Sequence, residues 1–140
     1  LNEKLKQNLE AEVMDSHCGY LPESAVLKIA QLQRLRDALM ASRIGMEESR
    51  PVIVITGNGH ARSDRGIPFY LKTLNPTVDL RAVAFIEVQQ GLFAPEDYAK
   101  VFGSKVPPFD YLWFTPAVED SDPCEKFAPS LKRLERSFPR

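Results

Sequence analysis

The sequence has almost no excess charge of either sign, since its 140 residues include 18 Lys and Arg against 19 Asp and Glu. A formal net charge of −1 leaves no surplus of cations to displace phosphate counterions, which argues against a nucleic-acid partner. No apolar run approaches the roughly 18 residues of a membrane-spanning helix. Hydrophobic residues make up 44% of the chain, which argues against intrinsic disorder. The composition therefore indicates one folded globular domain.

Cysteine is also scarce, because Cys18 and Cys124 are the only two in the chain. Neither belongs to a CxxC or CxxCH motif, so a cysteine-built zinc site and covalent haem attachment are unsupported. Their spacing is compatible both with one disulfide and with two buried thiols. The chain begins with Leu1 and has no basic, apolar leader. We expect any signal peptide or lipid anchor to lie outside it.

The first third of the chain predicts two helices. Good helix formers fill residues 1–14, where Leu5, Leu9 and Val13 form an apolar stripe. A second helix is predicted from Pro22 to about Arg43. Its expected apolar face consists of Ile29, Leu32, Leu35 or Arg36, and Leu39.

From residue 50 onward the pattern changes to short apolar runs typical of buried parallel strands. Three strands are predicted, at residues 51–56, 80–88 and 110–115, and their side chains are expected to form the core. Short helices are predicted between them, at residues 68–74 and 95–102. Strands that alternate with helices predict an α/β fold with a mostly parallel sheet and flanking helices.

The predicted organisation is a helical hairpin subdomain at residues 1–49 and part of an α/β core at residues 50–140. The tail is expected to be a loop around residues 122–124, with one last helical turn at residues 131–137. A parallel sheet needs cover on both faces, and three strands are few. We therefore expect the sheet to be incomplete, and to be completed by sequence outside this chain or by a second copy.

The stretch with the most chemistry is the loop at residues 57–66, directly after the first predicted strand. Ligands of open α/β sheets bind beyond the carboxyl ends of strands, where this loop is expected. His60 can ligate a metal ion or haem iron, or transfer protons near neutral pH. A polar turn with a surface salt bridge explains the same residues. Arg62 and Arg65 can bind carboxylates. The residues expected to support the loop are Gly57, Asn58, Gly59 and Asp64.

This loop matches none of the common catalytic or nucleotide-binding motifs. It lacks the GK[ST] of a P-loop, and Arg62 stands where the dinucleotide motif GxGxxG needs its third glycine. Ser63 belongs to no GxSxG elbow, so a serine hydrolase is poorly supported.

A second candidate cluster lies at the predicted corner between the two helices. His17, Cys18 and Tyr20 are all residue types that ligate metals or haem iron, and four consecutive positions hold all three. The alternative is a turn whose Cys and Tyr side chains pack inward.

Taken together, these stretches resemble the ChaN-like family of bacterial haem-binding, iron-regulated lipoproteins, in the superfamily of TIKI/TraB and erythromycin-esterase-like proteins. The residues that carry the resemblance are His17-Cys18-Gly19-x-Leu21-Pro22, the helical residues 30–41, the loop residues 55–68, and residues 110–116 and 122–124. The matches run in family order across most of the chain. Family members look about twice as long, so the chain resembles their C-terminal half.

The resemblance implies an α/β core with a helical subdomain and haem as a non-covalent ligand. His17, Tyr20 and His60 become the candidates for the iron side, with Arg62 and Arg65 as partners of the haem propionates. The alternative implied by the superfamily is a metal-dependent hydrolase with His60 as ligand or base. A structural or partner-binding fragment without a ligand site is the third class.

We therefore expect haem binding without turnover, in iron or haem uptake or storage at the envelope of a Gram-negative bacterium. The expected location is the periplasm or the outer membrane, with membrane attachment only through an anchor outside the chain. The expected partners are haem, and either a second copy of the chain or the absent N-terminal half. An oxidising compartment is also expected, with Cys18 and Cys124 as the candidate disulfide.

Overall fold

A computed structural model describes residues 2–46, 51–118 and 122–136 of the chain. Its elements in chain order are α1 (Glu3–Ser16), α2 (Glu23–Ile44), α3 (Asn58–Ala61), α4 (Ile67–Leu74), β1 (Val83–Glu87), a 3-10 turn (Pro95–Asp97), α5 (Tyr98–Val101), β2 (Tyr111–Thr115) and α6 (Pro123–Arg136). The contacts divide the chain into two units, residues 1–33 with 119–140 and residues 34–118. The domain boundary predicted between residues 49 and 50 stays a prediction.

The first unit contains α1, the first half of α2 and α6. α1 begins after Asn2, whose side-chain oxygen accepts a hydrogen bond from the Leu5 backbone N–H. It ends at His17, and Cys18 and Gly19 then adopt positive φ angles of 56° and 76° that turn the chain. The core of this unit consists of Val13, Leu21, Val26 and Ala30. Both helices predicted for the first third of the chain are therefore confirmed.

A disulfide joins Cys18 to Cys124, 106 residues later in the chain. Cys124 lies in the first turn of α6, where the sequence predicted a loop. That prediction is wrong because proline suits a first helical position, and Pro123 follows Asp122, whose carboxylate accepts from the Cys124 N–H at 2.8 Å. The short helical turn predicted at residues 131–137 lies within α6 up to residue 136, and residue 137 lies outside the described residues.

The second unit contains a two-stranded parallel sheet. β1 and β2 pair in register from Val83 opposite Tyr111 to Glu87 opposite Thr115. The connection between them passes through α5, whose Tyr98 packs against β1. The strands predicted at residues 80–88 and 110–115 are confirmed in shorter form. The α/β class with an incomplete parallel sheet is confirmed as well.

The strand predicted at residues 51–56 is absent from this sheet. Its β-branched side chains were expected to be buried on both faces, yet Ile53 is 89% exposed and Ile55 is 96% exposed. A strand exists only where a neighbour supplies backbone hydrogen bonds. Within the described residues, no backbone hydrogen bond joins residues 51–56 to another segment. The prediction is wrong for this chain because local β propensity cannot provide the missing neighbour.

One face of the sheet is uncovered. Residues Ala84 and Ile86 of β1 are buried beneath α5, whereas the alternate residues are exposed. In β2, Tyr111 is 59% and Trp113 is 63% exposed, although the sequence predicted both as core. Alternate side chains of a strand point to opposite faces, and in the described residues these two are left exposed.

Most of the apolar face predicted for α2 is likewise exposed, although Ile29 is partly buried against the core of the first unit. Leu32, Leu35 and Leu39 are all exposed, whereas the buried positions of the helix include Ala30, Asp37 and Ala41. Small side chains allow close packing, so the buried face of this helix is marked by alanine rather than by leucine. No helix in the described ranges is both long and apolar enough to cross a bilayer.

Candidate functional site

The loop at residues 57–66 is held by contacts to distant parts of the second unit. It contains α3, a single helical turn at Asn58–Ala61. The Asn58 side-chain amide donates to the carbonyl of Phe85 in β1 at 2.9 Å. The Ser63 N–H and hydroxyl both donate to the carbonyl of Pro108, at 2.8 and 3.0 Å. These bonds fix the loop on β1 and on the segment that leads into β2.

Of Gly57 and Gly66, which flank the loop, Gly66 is the one that the loop structure requires. The Gly66 N–H donates to the Arg62 carbonyl at 2.9 Å, which closes the loop on itself. A Cβ atom at this position would overlap the His60 carbonyl and lie 2.8 Å from the Arg62 carbonyl oxygen. Gly57 has a φ of −65°, and a Cβ there would meet nothing within 4 Å. Gly59 lies inside α3, and neither Gly57 nor Gly59 has a positive φ.

Arg62 is buried inside the unit, with a relative exposure of 1%. Its guanidinium donates to both carboxylate oxygens of Asp64, at 2.9 and 2.8 Å, and to the carbonyl of Phe102 at 2.8 Å. It also lies over the Phe102 ring. Arg62 and Asp64 therefore form a largely buried ion pair that stabilises the loop, and we call this pair the brace of the loop. These contacts do not favour the propionate role predicted for Arg62.

His60 is held by a carboxylate that lies 23 residues earlier in the chain. Its Nδ1 atom is 2.6 Å from Oδ1 of Asp37, which lies on α2. An ionised carboxylate only accepts hydrogen bonds, so with Asp37 ionised the proton of a neutral His60 lies on Nδ1. The Nε2 atom makes no hydrogen bond among the described residues, and the His60 side chain is 26% exposed. His60 can thus offer Nε2 as a ligand or a proton acceptor.

Asp37 was not singled out by the sequence analysis. It lies one turn before Ala41 on the buried face of α2, and its side chain is only 7% exposed. Charged residues are almost never buried without a partner. An aspartate in line with small buried residues is the signal that could have identified it, but the exposed leucines Leu32, Leu35 and Leu39 suggested a different buried face.

Burial raises the pKa of the Asp37 carboxyl above its ordinary value, because water no longer solvates the charge. The hydrogen bond from His60, its charge, and the charge of Arg65 act in the opposite direction. Arg65 is itself buried, with an exposure of 3%. Its charge therefore acts on Asp37 inside the unit, where electrostatic interactions are strong. This placement does not favour the propionate role predicted for Arg65.

A cleft of about 900 Å³, lined by polar as well as apolar residues, lies in the same unit beside residues 51–56. The described residues of its wall include Ala61, the residue after His60, but not His60 itself. Ligand pockets typically have volumes of about 300–1,000 Å³. Arg81, an exposed cation in an ion pair with Asp79, also lines the cleft. Further lining residues are Val52, Val54, Leu71, Val78 and Val83.

The other predicted iron-side residues belong to the first unit. The Nδ1 atom of His17 donates to the carbonyl of Val13 at 2.8 Å, within its own helix end. Tyr20 follows the turn and is half-buried, and its backbone N–H donates to the His17 carbonyl. The structure thus places His17 and Tyr20 at one corner, as the sequence predicted, and places His60 with Arg62 and Arg65 in the second unit.

A metal centre built from three or more His, Cys, Asp or Glu side chains does not occur in the described residues. The metal-ligand role predicted for His60 therefore gains no further ligands from them. The pairing of His60 with one carboxylate remains the central feature of the site.

A family model described as haem-binding uptake, Tiki superfamily, ChaN matches residues 1–71 of the chain. The matched range includes α1, α2, Asp37 and the whole His60 loop. No curated protein and no solved structure gives a significant match. Because the family model covers half of its residues, the chain belongs to the haem-binding uptake family of the Tiki superfamily, the ChaN family.

Proposed function

We propose that this chain binds haem reversibly and without covalent attachment, as part of bacterial haem or iron uptake or storage. The observation that carries the proposal is the His60 side chain, which is partly exposed, is held through Nδ1, and has Nε2 without a hydrogen-bond partner among the described residues. A neutral imidazole nitrogen is a common axial ligand of haem iron. The family to which the chain belongs supports the same ligand.

The residues of the second unit fit the other requirements of haem. A porphyrin needs apolar contacts, and Ala61, Val54 and Leu71 supply them in a cleft that polar residues line as well. Propionates need cations, and Arg81 lines this cleft at an exposed position. Arg62 and Arg65 remain candidates from the sequence, but their burial makes Arg81 the better supported partner. Bound haem would supply an iron centre, while His60 would hold it.

A haemin titration followed by absorption tests the proposal. We expect a saturable Soret shift with the wild-type chain, and weaker binding or an altered spectrum with His60→Ala, because an iron ligand is lost. Arg81→Gln should weaken binding without changing the spectrum, because propionate contacts do not alter iron ligation. The matched variants are His17→Ala and Tyr20→Phe, which test the two other predicted ligands. Absence of any saturable shift in the wild-type chain would contradict the proposal.

The alternative is a metal-dependent hydrolase with His60 as metal ligand or base, and the same Nε2 atom would serve either role. We favour a binding protein because the matching family model is described as haem-binding uptake. Esterase or peptidase turnover that requires His60 would contradict this.

The uncovered apolar surfaces support a proposal about partners. Ile53 and Ile55, the leucines of α2 and the outer face of the sheet are all exposed in the described residues. Contiguous apolar surface and unpaired strands commonly mark interfaces. We propose that these apolar surfaces are covered by a second copy or by protein sequence outside this chain. Sedimentation that gives a stable 15.8 kDa monomer at high concentration, without binding of an apolar dye, would contradict this.

The cellular address is also a proposal. Haem uptake in a Gram-negative bacterium takes place at the cell envelope, and the Cys18–Cys124 disulfide suits an oxidising compartment such as the periplasm. Attachment to the outer membrane as a lipoprotein would need an anchor outside the described elements. Fractionation of cells that express the full-length protein tests this address.

A further inference from the structure

The contact between His60 and Asp37 affects both the position of the imidazole ring and which of its two nitrogens carries the proton. The distance of 2.6 Å between Nδ1 and Oδ1 is slightly shorter than the roughly 2.7–2.9 Å of charge-assisted N–H···O hydrogen bonds. Neutral histidine exists as two tautomers, and the partner of one ring nitrogen selects which of them is present. A carboxylate at Nδ1 selects the tautomer that carries its proton there. Only this tautomer leaves a lone pair on Nε2.

We propose that Asp37 is a positioning residue of the haem site, which holds the His60 proton on Nδ1 so that Nε2 is the iron-ligating atom. This inference rests on the proposed haem binding. Carboxylates that accept from the second nitrogen of a ligating histidine orient the ring and make it a stronger ligand. Here the carboxylate comes from α2 and the histidine from α3, so the pair also joins the helix to the loop.

The surroundings of Asp37 favour this role over that of an incidental surface contact. Its side chain is 7% exposed, so water cannot easily replace the histidine as its partner. Gly66 allows the loop backbone to pass directly against the His60 carbonyl. The position of His60 is therefore fixed through both its backbone and its side chain.

The first test uses the wild-type chain without haem. Long-range ¹H–¹⁵N NMR distinguishes the two neutral tautomers, because a protonated and an unprotonated ring nitrogen have different ¹⁵N shifts. We expect His60 to carry its proton on Nδ1 at a pH where it is neutral. The signal of His17, which donates from Nδ1 to the Val13 carbonyl, is an internal reference for that tautomer. A proton on Nε2 of His60 would overturn the inference, whatever the result with haem.

The second test compares Asp37→Asn with Asp79→Asn. The first keeps the size of the side chain at the buried site, and the second removes the same charge from an exposed ion pair with Arg81. We expect Asp37→Asn to shift His60 toward the Nε2–H tautomer and to weaken haemin binding about 10–100-fold. Asp79→Asn should leave the His60 tautomer unchanged, and it is a control for the tautomer only, because Asp79 pairs with Arg81 in the cleft. Circular dichroism and the His17 signal establish whether each variant is folded.

The outcomes separate this inference from the proposed function. Equal haemin affinity and an unchanged ligand spectrum in folded Asp37→Asn and wild type would overturn the positioning role while haem binding stands. Failure of the wild type to bind haemin would overturn the proposed function and the ligand role of Nε2, while the tautomer that Asp37 selects would still be decided by NMR. If Asp37→Asn does not fold, the wild-type NMR measurement still decides the tautomer.

Discussion

His17 and His60 are both held through Nδ1, but by groups at very different distances along the chain. His17 donates to the carbonyl of Val13, four residues earlier in the same helix end. His60 contacts the carboxylate of Asp37, 23 residues earlier and in another element. A carbonyl and a carboxylate select the same tautomer, but only the carboxylate adds a charge that can strengthen the ring as a ligand. The second histidine is thus better suited to bind an iron ion.

The segments around the two histidines also differ in how they are fixed. The corner after α1 is turned by Cys18 and Gly19 and is tied to Cys124 by one covalent bond. The loop around His60 is fixed by several separate non-covalent contacts, with Phe85, Phe102 and Pro108 as distant partners. The corner therefore has local hydrogen bonds and one covalent bond to a distant residue. The loop depends on many contacts, each of which can be removed on its own.

The largest expected effect comes from removing the disulfide that fixes the corner. The double variant Cys18→Ser/Cys124→Ser should lower the free energy of unfolding by about 4–5 kcal/mol in the chain-entropy model, because the bridge closes a loop of over a hundred residues. Denaturant unfolding followed by circular dichroism measures this change. Reduction of the wild type should produce the same loss. If neither treatment lowers stability, the corner does not depend on its covalent bond.

The next effect concerns the buried brace of the loop. Arg62→Met should lower the free energy of unfolding by about 3 kcal/mol, because Asp64 and the Phe102 carbonyl lose their partner in a site with little water. The control is Arg81→Met, which breaks an exposed ion pair with Asp79 and should cost less than about 1 kcal/mol. Similar losses in the two variants, measured by denaturant unfolding, would contradict the assignment of Arg62 as a brace.

A smaller effect is expected where the loop passes against itself. Gly66→Ala should lower the free energy of unfolding by about 2 kcal/mol, because the added methyl group overlaps the backbone carbonyl of His60. Gly57→Ala is the matched variant, and it should be close to neutral because its Cβ would meet no atom within 4 Å. Thermal unfolding of both variants measures the difference. A stable Gly66→Ala with an unchanged His60 NMR signal would show that the close approach is not required.

The smallest effect concerns Asp97. Its side chain, like that of His17, is hydrogen-bonded to the backbone of residues three or four positions earlier in the chain. Its carboxylate accepts from the backbone N–H groups of Ala94 and Phe93, and these bonds lower the pKa of Asp97. A lowered pKa stabilises the fold above the ordinary value of about 3.9, and this stabilisation is lost as the pH falls through the lowered value.

The variant Asp97→Asn tests this pH dependence. Its difference from wild type in unfolding free energy should be constant above about pH 5 and should shrink below the ordinary pKa of about 3.9. The variant cannot lose a charge in acid, whereas the wild type does. Urea unfolding at several pH values measures this. A difference that stays constant into acid would show that the two backbone bonds do not depend on the charge of Asp97.

Elements whose bonds lie within a few residues could be predicted from the sequence. The stripe of Leu5, Leu9 and Val13 predicted α1, and Pro22 predicted the start of α2, because helices form from local hydrogen bonds. The loop with His60 was also identified as a candidate site, since its position after an apolar run depends on chain order alone. Family membership was identified from the same local motifs.

Features that depend on partners far along the chain could not be predicted in this way. Residues 51–56 have the composition of a strand, but a strand needs a neighbour that composition does not specify. Arg62 was expected to bind a haem propionate. Its partners include Asp64 and the carbonyl of Phe102, and Phe102 lies 40 residues later in the chain.

The His60 loop and the buried face of α2 show the same difference between what local sequence predicts and what distant contacts decide. Local sequence determined that a histidine would follow the apolar run at residues 51–56. Only the tertiary structure decided that Asp37 would be buried against that histidine, because the choice between the leucine face and the alanine face of α2 is made by packing with other elements. A helix has the same backbone hydrogen bonds whichever face it buries, so its own sequence cannot make that choice.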